Sequence, residues 1–131
     1  MILRVALFFI AISTLAITHY FATINFLYWR YSWLDMPMHF LGGISVALGF
    51  AILPFFRIKL PPHYRTLLPY LLFVLFAGVV WEVFEYVNGI SLARPQDRLL
   101  TDTLGDLTLD LLGGCVGYFI SKHTSESYDL N

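Results

Sequence analysis

The chain has 131 residues, of which 58% are hydrophobic and 13% charged, with a formal net charge of −1. Soluble domains carry about 25% charged residues, so this chain has too few to cover a solvated surface, and its solvent is expected to be lipid. No basic stripe is present, which argues against a DNA or RNA partner, and the lone Cys115 excludes an internal disulfide framework or a thiol metal motif.

Four apolar runs are long enough, at about 20 residues each, to cross a hydrocarbon layer about 30 Å thick. They lie at about 5–28, 36–56, 67–88 and 103–121, and a short polar tail occupies 122–131. The expected fold is an all-α, integral membrane four-helix bundle with short loops, a single transmembrane domain over 1–131. The first run follows Arg4 and outlasts the apolar region of a cleaved signal peptide, with no convincing small-x-small cleavage site; it reads as an uncleaved anchor and first span. Tyr28, Trp29, Tyr31 and Trp33 close it as an aromatic belt at headgroup depth. The second run opens at Asp35-Met36-Pro37 and leads into a loop with Pro61-Pro62, and the third leads into a loop with Pro95. Such short connections make neighbouring helices antiparallel.

Arg4, Arg57, Lys59, Arg65 and Lys122 fall on the side holding both termini, and Arg30, Arg94 and Arg98 on the other, five against three. The excess of Lys and Arg marks the cytoplasmic side. The chain is therefore expected to be a multi-pass protein of the cell membrane with cytoplasmic termini, its first and third loops facing outward.

Acidic residues inside the spans carry the functional signal, because a charged side chain near the bilayer centre costs about 2.5–3.5 kcal/mol and must face protein or water. Asp35 and His39 open the second span, Glu82 and Glu85 close the third, and Asp102, Asp106 and Asp110 open the fourth. With alternating span directions, all fall at the same, outward end. At about 100° per residue, Asp106, Asp110, Gly113 and Gly117 share one face of the fourth span. Gly78, Glu82 and Glu85 do so in the third, and Asp35, His39 and Gly43 in the second. Small residues mark close helix approach in membranes, so three acidic and glycine faces are expected to turn inward together.

Six carboxylates then share one end with one histidine and at most three arginines, and something must neutralise them: a divalent cation, shared protons, loop arginines or a cationic ligand. Oxygen-rich donors with one imidazole suit Mg, Mn, Ca or Fe better than structural zinc. The candidate ligands are His39, Glu82, Glu85, Asp106 and Asp110, with Glu82 or His39 as candidate general base. Asp35 and Asp102 form the rim, and Arg94 and Arg98 above it suit a lipid phosphate or carboxylate, besides serving as ordinary loop cations. Plainer roles exist for each. Asp35 before Pro37, and Asp102 between two threonines, are suited to helix N-caps, and His39 to a hydrogen bond with Asp35 or a glutamate of the third span. Glu82, Asp106 and Asp110 lie too deep to cap and otherwise suit an interhelical polar clamp. His19 and His63 have no evident partners in the sequence.

These motifs resemble those of the VanZ-like membrane proteins and of the YjdF-like family. Asp35-Met-Pro-Met-His39-Phe40 is similar to the Asp-Lys-x-x-His-Phe of VanZ-like proteins, and Glu82-x-x-Glu85 to their Glu-x-x-Gln. Asp106-x-x-x-Asp110-x-x-Gly113-x-x-x-Gly117 resembles their Asp-x-x-x-Asn-x-x-Gly-x-x-x-Gly. Met36, Glu85 and Asp110 depart from that pattern, each making the site more acidic, and with Gly42-Gly43 the chain looks closer to the YjdF-like pattern. The resemblance implies a helical membrane protein with a polar site, linked in VanZ to resistance against glycopeptide antibiotics that act on the cell envelope; it supplies no catalytic role. Two readings of function follow. In one, a divalent cation helps the site bind or act on a lipid-linked or envelope substrate entering from the outer leaflet. In the other, the carboxylates are a protonatable or cation-binding clamp in a structural, accessory or transport protein.

Overall fold

Backbone chemistry decides where the long helices stop in a computed structural model that describes residues 2–88 and 99–126. Among the described residues all regular structure is helical: α1 (Ile2–Ile24), the short α2 (Leu27–Arg30), α3 (Asp35–Ala51), α4 (Leu67–Val87) and α5 (Leu99–Glu126), with single 3₁₀ turns at Ser32–Leu34, Leu53–Phe56 and Pro62–Arg65. Four of these helices are long and apolar enough to cross a membrane.

The first helix ends four residues before the expected Tyr28. The Asn25 side chain bonds back to the Phe21 carbonyl and Phe26 adopts a left-handed φ of 55°, the kind of signal that terminates a helix. α3 ends at Ala51 rather than at Phe56, because Pro54 cannot supply the N–H that a continuing helix requires. α5 begins at Leu99, so Asp102 sits in its first turn instead of capping a helix at Thr103. Asp35 is likewise the first residue of α3 rather than its cap, and no side chain caps that helix.

The bundle is organised around the α3–α5 pair, the most extensive contact in the molecule; α4 packs on α5 and, less, on α3, while α1 leans mainly on α3. Glycine makes the central crossing. A Cβ at Gly43 would overlap the Asp110 carbonyl oxygen, and one at Gly113 would overlap the Phe40 carbonyl oxygen. The two backbones therefore touch directly, as small residues allow in membranes. At the end where Arg4 of α1 bonds Thr124 of α5, the core is apolar and aromatic: Ala47, Phe50, Ala51, Tyr70, Val74 and Tyr118 pack together, with the Tyr70 ring 4.8 Å from Phe50 and 5.0 Å from Tyr118. Among the described residues no buried acid lies with them.

The glycine crossing sets a test. Gly43→Ala and Gly113→Ala should each destabilise the protein in detergent by about 1–3 kcal/mol, the range for overpacking. Gly105→Ala, where nothing lies within 4 Å of the added carbon, should leave the melting temperature unchanged or slightly raised, since alanine is the better helix former.

Candidate functional site

His39 is the hub of the other end. It lies on the first turns of α3, 5% exposed, with Asp35 one turn earlier on the same face. Because Gly43 admits the α5 backbone, α5 lies close enough to bring Asp110 and Asp106, both 5% exposed, against the imidazole. Gly78 plays the matching part on α4: a Cβ there would run into the Asp110 carboxylate, and its absence lets the Glu82 turn of α4 approach the same centre.

The imidazole divides its two nitrogens between different neighbours. Nδ1 lies 3.4 Å from both carboxylate oxygens of Asp110. Nε2 faces three carboxylates, with Asp35 Oδ1 at 3.7 Å, Glu82 Oε1 at 3.9 Å and Asp106 Oδ2 at 3.9 Å. These separations are too long for hydrogen bonds, and among the described residues His39 Nε2 and Glu82 Oε1 are buried with no hydrogen-bond partner. Leaving such an atom unsatisfied costs about 1–3 kcal/mol. When Nδ1 carries the proton toward Asp110, the Nε2 lone pair points at negative oxygens, an arrangement that repels unless a positive charge lies between them.

The spacing suits such a charge. Donor atoms each about 2.1–2.4 Å from one cation lie about 3–4 Å from one another. Three overlapping groups place one donor atom per residue within 4.8 Å of each other: Asp35, His39 and Glu85; His39, Glu82 and Asp106; and Asp35, Asp102 and Asp106. Asp110 stands behind His39, positioned to orient the ring by accepting from Nδ1, as the outer partners of metal-binding histidines do. Thr103 donates to Glu82 Oε2 at 2.7 Å and Trp81 Nε1 donates to Glu85 Oε1 at 2.9 Å, leaving Glu82 Oε1 turned to the centre. Arg94 and Arg98, expected above this centre, lie outside the described residues.

Three neighbours of the site were not expected from the sequence. His19 of α1, to which no partner was assigned, faces the Tyr28 hydroxyl through Nδ1 at 2.9 Å and sets its ring edge-on against Trp81 at 5.7 Å. Tyr28 thereby turns inward, while Trp29, Tyr31 and Trp33 remain exposed in the manner of an interfacial belt. Thr103 had a legible signal: it precedes Asp106 and Asp110 by three and seven residues, on the same helical face. His19 had none, because the turn that brings α2 back onto α1 and the approach of Trp81 supply its partners.

A family model described as a predicted membrane protein (DUF2238) matches residues 3–125. The match covers nearly the whole chain, which belongs to that family. Comparison with curated proteins and with solved structures gave no match.

Tyr28 carries a pH signature. Burial, then the negative charges of Asp35 and Glu85, pushes its hydroxyl from the ordinary 10.0 up to about 12. The folded chain holds this proton more tightly than the unfolded chain, so the associated stability is complete below pH 10 and is lost as pH rises through about 12. Melting curves in detergent across this window should show a decline that is shallower in Tyr28→Phe than in the parent protein.

Proposed function

We propose that this chain, a member of the DUF2238 family of predicted membrane proteins, holds a divalent cation among His39, Asp35, Glu82 and Asp106, with Glu85 and Asp102 beside them and Asp110 behind the imidazole, and uses it to bind or act on a lipid-linked or envelope ligand. One observation carries the reading: a buried imidazole nitrogen without a hydrogen bond faces three carboxylate oxygens at 3.7–3.9 Å. A cation at their centre would satisfy all four donors at once and offset the cost of burying the acids. Carboxylates with a single imidazole suit Mg, Mn, Ca or Fe. Bound there, such an ion supplies an electrophile for a phosphate or carbonyl oxygen. Glu82, with one oxygen held by Thr103 and the other turned to the centre, would be fixed in orientation to hold the ion, and Asp110 orients His39.

The resemblance to VanZ-like and YjdF-like proteins supports an envelope ligand, and Arg94 and Arg98 would meet its phosphate or carboxylate. The Lys and Arg excess beside the termini supports cytoplasmic termini in the cell membrane, which puts the site in the outer leaflet. A second reading is favoured by the same ring of ion pairs: a protonated His39 among carboxylates is an interhelical clamp that needs no metal and performs no chemistry.

Metal analysis of the purified protein separates the two. Stoichiometric divalent cation in the parent, lost in both Glu82→Gln and Asp106→Asn while both variants stay helical, is the expected result. A parent that binds none of Mg, Mn, Ca or Fe, with variants that merely melt earlier, leaves the clamp.

A further inference from the structure

A cavity of about 520 Å³ opens beside the acidic centre, between α1, α3 and α4. Its walls are apolar for most of their length, with Ile12 and Leu15 from α1 facing Val74 and Ala77 from α4, and it ends against His39, Glu85 and Asp110. The size falls within the roughly 300–1,000 Å³ of ligand sites. Three features define the occupant. First, the polar groups gather at one end, so the guest is amphiphilic. Second, α1 and α4 scarcely touch apart from His19 against Trp81, so the side of the cavity between these helices faces lipid rather than water. Third, Ile12 precedes the end of α1 by twelve residues and Ala77 the end of α4 by ten, which at about 1.5 Å per residue is about 15–18 Å. That depth is about half of a 30 Å hydrocarbon core, the span of a chain from one leaflet.

We infer that the cavity holds a single hydrocarbon chain of an amphiphile drawn sideways from the adjoining leaflet, with its polar head at the acidic centre and the His19–Trp81 contact as the latch across the entry. The placement of the head at a cation rests on the function proposed above; the seating of the chain does not. His19 and Trp81 meet edge to ring, and a head passing between α1 and α4 has to part them, whereas a chain following it meets the aliphatic Ile12, Leu15, Val74 and Ala77.

Photolabelling tests this on the full chain in phosphatidylcholine nanodiscs containing a phosphatidylcholine with a diazirine on its acyl chain, with bound metal measured on the same samples. The expected result is adducts at Ile12, Leu15 and Ala77 that are lost in Ala77→Phe and in Ile12→Trp, two variants that fill the cavity from opposite walls. Adducts at Phe76 and Phe119, which are 67% and 61% exposed, should persist in both. Adducts confined to those exposed positions, or cavity adducts that survive both variants, would mean annular lipid only and overturn the inference. Cavity adducts lost on filling, in a parent that binds no cation, would support the chain site and remove the cation reading alone.

Discussion

The cost of holding carboxylates away from water governs this molecule. Asp35, Asp106 and Asp110 are buried on helices that otherwise belong in lipid, and Glu82 and Glu85 are partly buried beside them. Dispersed along the spans, each would demand its own partner. Gathered round one imidazole, they share any positive charge that enters, be it a proton or a metal ion. The gathering in turn demands that three helices come close at one depth, and that demand is met by side chains reduced to hydrogen: Gly43 and Gly113 let α3 and α5 meet backbone to backbone, and Gly78 leaves room for the Asp110 carboxylate. The polar centre and the glycine crossing are thus two aspects of one solution.

The two halves of the bundle divide the labour. Beside the chain termini, Phe50, Tyr70 and Tyr118 interlock in edge-to-face contacts and give the aromatic packing that stabilises by about 0.5–1.5 kcal/mol per pair beyond area burial. At the other end the helices enclose charged groups and a cavity, and α1 is held mainly through α3 and a few polar and ring contacts. The buried atoms without a hydrogen bond among the described residues, His39 Nε2 and Glu82 Oε1, lie in this second half.

Much of this was legible beforehand because membranes simplify the code. Run length alone marks the four long helices, and the 100° advance per residue is enough to align Asp106 and Asp110 with Gly113, or Asp35 with His39. The ends of the helices were less legible, since the left-handed turn at Phe26 looks like any apolar position and the run through Leu53 and Phe56 hides the consequence of Pro54. The setting of α1 was not legible at all. Its apolar surface is nearly uniform, with Ala11 and Ala22 its buried residues, so no stripe announces which side meets α3 or that His19 would face Tyr28 and Trp81. What the acids do at the centre is a further question, since phase fixes which side chains meet and not what they hold.

The dominance of the α3–α5 pair has a consequence for how the protein is made. These helices are separated in the chain by all of α4, so during synthesis α3 emerges with Asp35 and His39 well before the helix that encloses them exists. Until α5 arrives, the polar turn of α3 has neither Asp106 nor Asp110 beside it and lacks its main packing surface. α1 carries no acid and can settle in lipid as soon as it is made, while the polar turn of α3 bears its own insertion cost until α5 packs against it. Among the four long helices, α5 is therefore the one that encloses the polar turn of α3.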